Sequence, residues 1–172
     1  MKDQQLEHDD HTPISNKYSL CFLAHDVELP SNVGSLFRIA DALGIEKIFL
    51  SGSTVVPPNS KLRKASRSCE KFVCYEYIES AESVIRMLKA QGYTVVALEI
   101  TESSQALARL QLSPEAKVCL MLGAEKTGIC SELLCKVDQT VHIPMLGENS
   151  SMNVASACSI AAYAITQMLK LN

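Results

Sequence analysis

The sequence contains no apolar run that approaches the roughly 18 residues of a membrane-spanning helix, so we expect no membrane partner. It also lacks a secretory signal, because its first sixteen residues, MKDQQLEHDDHTPISN, have neither a basic start nor an apolar centre. Those residues are polar and acidic, and we expect a flexible polar tail over residues 1–16. The rest, residues 17–172, is long enough for one domain with a substantial core.

The two most common phosphate-binding motifs of nucleotide enzymes, G-x-x-x-x-G-K-[ST] and G-x-G-x-x-G, are missing. Their absence removes most of the support for a kinase or a dehydrogenase. An excess of positive charge is missing too, since the formal net charge is −3 at pH 7. This balance argues against indiscriminate adhesion to nucleic acid and leaves a local basic patch open.

The number of cysteines is odd, and no export signal accompanies them, so we expect reduced thiols in a cytoplasmic protein. Two pairs with four intervening residues, Cys69/Cys74 and Cys130/Cys135, raise the question of zinc. Several of the cysteines lie among apolar neighbours, where small buried thiols are common. Packing is therefore the favoured explanation, and we expect no metal. The seven cysteines are Cys21, Cys69, Cys74, Cys119, Cys130, Cys135 and Cys158.

Short apolar runs alternate with helical patterns along the chain. The runs are continuous rather than strictly alternating, which is typical of strands covered on both faces. The alternation predicts an α/β fold with a mainly parallel sheet and helices on both faces. The predicted strands are Tyr18–His25, Glu46–Gly52, Lys71–Tyr77, Tyr93–Glu99, Lys117–Gly123 and Gln139–Met145. The predicted helices are Asn32–Leu43, Glu79–Gln91 and a long C-terminal helix that starts at Ser151.

Four loops rich in Gly, Pro, Ser or Asn follow predicted strands. In parallel sheets, ligands bind at the carboxyl ends of the strands, so these loops are the candidates for a functional site. Their sequences are DVELPSNVGSLFR, SGSTVVPPNSKLRKASR, LGAEKTG and IPMLGENSSMN.

The first loop contains N-x-G-x-x-x-R, formed by Asn32, Gly34 and Arg38 at the start of a predicted helix. Helix N-termini attract anions, and arginine binds phosphate in a bidentate manner, so this motif suits a phosphate. The alternative is that Asn32 caps the helix and Arg38 is a solvated charge. From the spacing alone, the alternative is favoured.

The second loop ends in the segment Ser60–Lys71, which carries five basic residues and one acidic residue in an otherwise acidic chain. A charged surface loop and a surface that binds the phosphates of a nucleic acid are equally supported by this pattern. The residues that would bind the phosphates are Lys61, Arg63, Lys64 and Arg67.

The third loop places Glu125 between Gly123 and Gly128, where its carboxylate is available to orient a partner's arginine or to accept hydrogen bonds from a ligand. In the fourth loop we expect Ser150 or Ser151 to cap the C-terminal helix, with Asn153 in its first turn. Capping uses one serine and leaves the other serine and Asn153 for another role.

The C-terminal helix is apolar around most of its circumference, so it must be buried on more than one side. We expect it to lie between the sheet and a second subunit, and the sequence therefore predicts a homodimer.

Together the motifs N-x-G-x-x-x-R, L-G-x-E-x-x-G and I-P-M-x-G followed by S-x-N resemble those of the SpoU (TrmH-like) RNA 2′-O-ribose methyltransferases of the SPOUT superfamily. The resemblance extends from Ser19 to Leu169 in order, spacing and strand context. Where the family usually has S-L-N, this chain has Ser151-Met152-Asn153, a mild change because Leu and Met are similar in size.

The resemblance implies a trefoil knot in the C-terminal third, S-adenosyl-L-methionine as cofactor, and a dimer that completes the active site. The cofactor pocket would be lined, largely through backbone groups, by Leu98, Gly123, Ile143 and Met152. The polar catalytic cluster would consist of Asn32, Arg38, Glu125, Ser151 and Asn153.

The expected activity is methylation of a ribose 2′-hydroxyl in RNA, with tRNA favoured over ribosomal RNA. Two other classes stay open: an RNA-binding factor that kept the fold without catalysis, and a methyltransferase for a small molecule. A charged guanidinium has no acceptor atom, so we expect Arg38 to anchor a phosphate and stabilise alkoxide charge rather than act as a base. Glu125 would orient Arg38 or Asn32, while Ser151 and Asn153 would hold the ribose.

Overall fold

A seven-stranded sheet with every neighbouring pair parallel lies at the centre of the computed structural model, which describes Thr12 and residues 15–172. The strand order is β3-β2-β1-β6-β4-β7-β5. The strands are β1 (Tyr18–His25), β2 (Ile45–Ser51), β3 (Tyr75–Tyr77), β4 (Tyr93–Leu98), β5 (Gln105–Ala106), β6 (Lys117–Leu122) and β7 (Gln139–His142).

Helices cover both faces of the sheet. Alternate residues of each strand point to opposite sides, and apolar side chains on both sides form two hydrophobic cores. On β1, Leu20 and Phe22 belong to one hydrophobic core, while Cys21 and Leu23 belong to the other. The first core is completed by helices α1 (Pro30–Leu43), α2 (Ser60–Ser66) and α5 (Val154–Thr166), and the second by α3 (Ala81–Ala90) and α4 (Ser131–Leu134). The predicted α/β fold with a mainly parallel sheet is therefore confirmed.

The prediction of a loop over Ser60–Lys71 is wrong. Residues Ser60–Ser66 form α2, and Cys69–Lys71 form a 3₁₀ turn, so the strand predicted from Lys71 begins only at Tyr75. The side chain of Asn59 caps α2 by accepting hydrogen bonds from the backbone N–H groups of Lys61 and Leu62, 3.0 Å each. Such a cap offsets the unsatisfied donors of a short helix.

Two further elements differ from the sequence prediction. Helix α1 begins at Pro30 rather than Asn32, because the fixed φ of proline suits the first helical position. The C-terminal helix begins at Val154 rather than Ser151, and its cap is Asn153. The sequence patterns gave no sign of the short β5 and α4.

The last residues of the chain return to the start of the sheet. The backbone N–H of Asn172 donates to Lys17 O over 3.1 Å, and that of Lys170 donates to Pro114 O over 2.8 Å. The trefoil knot and the single-domain boundaries stay predictions, and most of the predicted tail over residues 1–16 lies outside the described residues. Within the part that is described, none of the helices has the length and apolarity to cross a membrane.

Helices α1 and α2 are in close contact at Gly34. A Cβ atom at this position would lie 2.6 Å from Ala65 Cβ and 2.7 Å from the carbonyl oxygen of Leu62. Because one of these neighbours is backbone, a side chain at Gly34 would force the two helices apart.

We therefore expect Gly34→Ala to lower the free energy of unfolding by about 1–3 kcal/mol, the usual cost of overpacking. Gly147→Ala is the matched control, because a Cβ there meets nothing within 4 Å. Denaturant titration of both variants measures the difference. Equal stability of Gly34→Ala and the wild type would show that the helices separate without cost.

Candidate functional site

A cavity of about 430 Å³ opens at the carboxyl ends of the central strands. It is lined by residues from the loops after β1, β4, β6 and β7 and from the first turn of α5. Three of the four candidate loops therefore meet here, as expected for a parallel sheet. The second loop, which leads into α2, does not line the cavity; the loop after β4 takes part instead.

A chain of hydrogen bonds joins three of these segments at one side of the cavity. The side-chain amide of Asn32 donates to Glu125 Oε1 over 2.8 Å and accepts from Asn153 Nδ2 over 2.9 Å. Asn32 is only 5% exposed, so an unpaired amide here would be costly. The predicted catalytic residues Asn32, Glu125 and Asn153 thus form one network, which we call the Asn32 network.

Asn153 also caps helix α5, in addition to its bond with Asn32. Its Oδ1 accepts hydrogen bonds from the backbone N–H groups of Ala155 and Ser156, at 2.9 and 3.2 Å. These bonds satisfy the first turn of α5, so the prediction that Ser150 or Ser151 is the cap is wrong. Ser151 instead lines the cavity.

The carboxylate of Glu125 is held in the charged form by its neighbours. Its oxygens also accept from the backbone N–H groups of Glu28 and Leu29, 3.2 Å each. Partial burial alone would raise the pKa of Glu125, but the hydrogen bonds from Asn32, from its own backbone and from Leu29 and Glu28 bring it below its usual value. The site therefore contains a fixed negative charge at neutral pH.

Two glycines shape the floor of the cavity. Gly123 and Gly128 approach so closely that a Cβ at Gly123 would lie 2.5 Å from the carbonyl carbon of Gly128. Gly128 has a φ of +65°, and a Cβ there would lie 2.3 Å from Glu99 Oε2. Glu99 in turn accepts a hydrogen bond from the N–H of Ile129 over 2.9 Å, which ties β4 to this turn.

All four predicted cofactor-binding residues line the cavity, together with Asn32, Glu125, Ser151 and Asn153. The four are Leu98, Gly123, Ile143 and Met152. Their roles stay predictions, but the structure brings these eight positions together. Glu99 and His142 are among the lining residues that the sequence motifs do not indicate. The only sequence signal of Glu99 is its position as the acidic last residue of a predicted strand. His142 forms a hydrogen bond with Ser104 Oγ through Nδ1 over 2.9 Å.

Arg38 does not line the cavity of its own chain. It is exposed on α1, six residues beyond Asn32, which corresponds to about 9 Å along the helix axis. Burial and the neighbouring Asp41 raise the pKa of the Cys69 thiol, and the positive charge of Arg38 partly offsets this effect. Arg38 is therefore near Cys69, and the carboxylate of Glu125 contacts Asn32 instead.

The predicted RNA-binding residues share one short segment. Lys61, Arg63 and Lys64 are exposed on α2, and Arg67 is exposed at its C-terminal cap. The buried side of α2, with Leu62 and Ser66, faces α1. The structure thus places these residues beside α1 and outside the cavity.

Among the described residues, no group of three or more His, Cys, Asp and Glu side chains has the arrangement of a metal site. Cys21, Cys119 and Cys158 are buried, whereas Cys74, Cys130 and Cys135 are exposed. Burial raises the pKa of the Cys158 thiol, so this group stays protonated inside the core.

We expect Glu125→Gln to lower the free energy of unfolding at neutral pH by about 1 kcal/mol, because the amide nitrogen would face donors that the carboxylate now accepts from. The pKa of Glu125 in the folded state lies below the unfolded value of about 4.3. The stabilisation is therefore complete above that value and is lost as the pH falls through the lowered pKa. Denaturant titrations over a pH series measure the difference between the variant and the wild type.

Glu132→Gln, a change of an exposed carboxylate at the start of α4, is the control for loss of one negative charge. If the difference in free energy of unfolding between Glu125→Gln and the wild type stayed constant down to strongly acid pH, this would contradict a role for the ionised carboxylate.

Comparison with known proteins assigns the chain to a family. The family model described as the SpoU rRNA Methylase family matches residues 19–163. The tRNA (guanosine(18)-2'-O)-methyltransferase of Escherichia coli is 29% identical over 140 residues, which cover 80% of this chain and 58% of the relative. The enzyme of the same name from Thermus thermophilus is 29% identical over 144 residues, covering 84% and 72%.

A solved structure agrees with this match. The AdoMet-bound rRNA methyltransferase of Sinorhizobium meliloti superposes with a TM-score of 0.80 and 26% identity, over 92% of this chain and 59% of that protein. The chain thus spans less than two thirds of the E. coli and S. meliloti proteins. The motif residues gathered at the cavity lie within the matched range. The chain belongs to the SpoU rRNA methylase family.

Proposed function

We propose that this protein transfers a methyl group from S-adenosyl-L-methionine to a ribose 2′-hydroxyl of RNA, with tRNA as the substrate. The observation that carries the proposal is the cavity at which the Asn32 network and the four expected cofactor-binding residues meet. The names of the E. coli and T. thermophilus relatives support tRNA, and the name of the S. meliloti protein keeps ribosomal RNA as the second candidate.

The cavity fits the cofactor in size and in lining. Its volume of about 430 Å³ lies in the range of sites for small organic ligands. Gly123 and Gly128 line the cavity without side chains, which leaves their backbone groups available to a ligand. Leu98, Ile143 and Met152 would contact the apolar parts of the cofactor. When bound, S-adenosyl-L-methionine supplies an electrophilic methyl group whose departure leaves a neutral thioether.

The protein would align the ribose hydroxyl with the methyl group of the cofactor and stabilise the negative charge that develops on the hydroxyl oxygen. Ser151 and Asn153, at the start of α5, are the groups that would hold the ribose. Glu125 keeps Asn32 in place, and Asn32 keeps Asn153 in place, so the ribose contacts depend on the whole network. A guanidinium has no acceptor atom, so Arg38 would bind the adjacent phosphate, and the proton of the 2′-hydroxyl would pass to a phosphate oxygen of the RNA or to water.

A homodimer would bring an arginine to the cavity, which the chain's own Arg38 does not line. Helix α5 exposes Ile160 and Tyr163, 45% and 58% accessible, on the side away from the sheet. Leu29 and Met152, which line the cavity, are exposed, and so is Leu146, which follows the lining residue Met145. We propose that this surface binds a second copy and that the partner subunit's Arg38 completes the site.

Two substitutions of Asn153 separate capping from catalysis. Asn153→Ser keeps a good helix cap but leaves the buried acceptor of Asn32 without its donor, so stability should fall by about 1–3 kcal/mol through that loss alone. Its kcat/KM for methyl transfer to tRNA should fall roughly 5- to 100-fold, the range expected when a buried partner is left unpaired.

Asn153→Ala is the matched control, which should lose the same activity and about 1 kcal/mol more stability than Asn153→Ser, because it also loses the helix cap. Radiolabelled methyl transfer and denaturant titration provide the two readouts. Full activity of Asn153→Ser would show that the bond to Asn32 has no part in the reaction.

Mixed dimers test the role of Arg38 across the interface. Homodimers of Arg38→Ala and of Asn153→Ser would each have strongly reduced activity, but a dimer with one copy of each has one complete cavity. After random exchange of subunits, about a quarter of the wild-type activity should return. A mixture of Arg38→Ala with the double variant Arg38→Ala/Asn153→Ser is the control, and it should show no such recovery. Absence of recovery with the first pair would place Arg38 in its own chain's cavity or outside the reaction.

The activity itself is tested by incubating the protein with S-adenosyl-L-methionine and unmodified tRNA or ribosomal RNA, then mapping 2′-O-methyl groups by their resistance to alkaline hydrolysis. We expect new sites in tRNA. New sites confined to ribosomal RNA would change the substrate, and methyl acceptance that survives ribonuclease treatment would indicate a small molecule. RNA binding without methylation would indicate a factor that kept the fold without catalysis.

A further inference from the structure

An exposed aromatic ring lies next to the basic segment of this chain. We propose that Phe72 stacks on an unpaired base of the RNA while Lys61, Lys64, Arg67 and Lys71 bind the neighbouring phosphates. We call this set of five residues the stacking face. The proposal rests on the proposed function, because it assumes that the substrate is RNA, and it adds a site outside the cavity.

Phe72 is 74% exposed, an unusual state for the largest purely apolar type of side chain. Its backbone is nevertheless fixed, because its N–H donates to Cys69 O over 2.9 Å and the next residue, Val73, is buried. The ring is therefore presented to solvent from an ordered position. A fixed ring with an open face is what stacking of a base requires.

The other two exposed aromatics of this region already have partners. Tyr75 packs edge-on against Phe37, with ring centroids 5.4 Å apart. The hydroxyl of Tyr77 donates to the carbonyl oxygen of Gly52 over 2.9 Å. Phe72 is thus the aromatic side chain of this edge that is most available to a ligand.

The charge around Phe72 favours a polyanion. Glu70, the acid of the segment, is only 8% exposed and is bound by Ser66 and by Arg63, whose Nε lies 3.5 Å away. Of the five basic residues, only Arg63 takes part in an ion pair within the described residues. The four basic side chains of the stacking face are exposed, so their positive charges are available to RNA phosphates.

The position of the segment connects it to the reaction. The 3₁₀ turn before Phe72 packs on α1, where Cys69 Sγ lies 3.5 Å from Asp41 Oδ2. Asp41 follows Arg38 by three residues, so both lie on the same side of α1. The segment before Phe72 is therefore close to Arg38, the residue that the proposed function assigns to an RNA phosphate. The exposed Lys and Arg side chains around the ring of Phe72 favour RNA as the partner. An apolar protein surface would bury these charges without a partner of opposite charge.

The chain contains no tryptophan, so Phe72→Trp creates a unique fluorophore at the proposed contact. We expect its emission to be quenched by unmodified tRNA and by a single-stranded oligoadenylate, and much less by a fully paired RNA duplex. The affinity for tRNA should stay at the wild-type level or rise. Emission unchanged by saturating tRNA would overturn the proposal.

Phe72→Leu is the matched variant, since it keeps apolar area and removes the ring. It should weaken tRNA binding roughly 5- to 150-fold, the range for loss of one stacked base. The dependence of affinity on salt should not change, because no phosphate contact is lost. Lys64→Ala should instead reduce the slope of log K against log salt by about 0.7–0.9. Lys170→Ala, a cation paired with Glu115 at the end of the chain, should leave the slope unchanged.

Kinetics distinguish failure of this proposal from failure of the proposed function. Phe72→Leu should raise KM for tRNA and spare both kcat and cofactor affinity. A wild type that methylates tRNA together with an unaffected Phe72→Leu would contradict the stacking face alone. A wild type that methylates no RNA would contradict the proposed function. Altered sedimentation of Phe72→Leu with normal tRNA affinity would assign the ring to an interface between copies and overturn the proposal.

Discussion

The side-chain amide of Asn32 is the contact on which the arrangement of the site depends. It joins Glu125, 93 residues further along the chain, to Asn153, 121 residues further along. The amide nitrogen of Asn32 donates to Glu125, and its amide oxygen accepts from Asn153. An apolar or charged side chain in place of Asn32 could not make both hydrogen bonds. Because Asn32 is buried, loss of either partner leaves a polar atom unpaired, and this cost fixes the three segments relative to one another.

The parallel sheet supplies the framework for that contact. Strands β1, β6, β4 and β7 are neighbours and run in the same direction, so their carboxyl-end loops open on one edge. The glycines after β6 allow the backbone to form the floor of the cavity, and Asn153 starts α5 at its rim. The same side chain that begins a helix thus also contributes to the site, which explains why a polar cluster precedes an apolar helix.

Much of the fold was predictable from the sequence because its signals are local. Apolar runs predicted β1 in full and most of the other long strands. The basic segment has the sequence pattern of a loop because α2 has only seven residues, and a cap by Asn59 is a weak signal beside five basic residues. The sequence does not distinguish Asn153 from Ser150 or Ser151 as the cap of α5, because serine and asparagine are equally good caps.

The site was predictable only in part, since it depends on contacts between distant residues. The motifs pointed to Asn32, Glu125, Ser151 and Asn153, which the structure brings to one cavity. The position of Arg38 could not be read from its spacing, because it depends on how α1 packs against the 3₁₀ turn at Cys69. Glu99 carried no motif, and its bond to Ile129 appears only in three dimensions.

A crystal structure of the protein with S-adenosyl-L-methionine tests the central claim most directly. We expect the cofactor in the cavity between Leu98, Gly123, Ile143 and Met152, beside intact hydrogen bonds of Asn32 to Glu125 and Asn153. A cofactor bound elsewhere, or a cavity in which those bonds are absent, would contradict it.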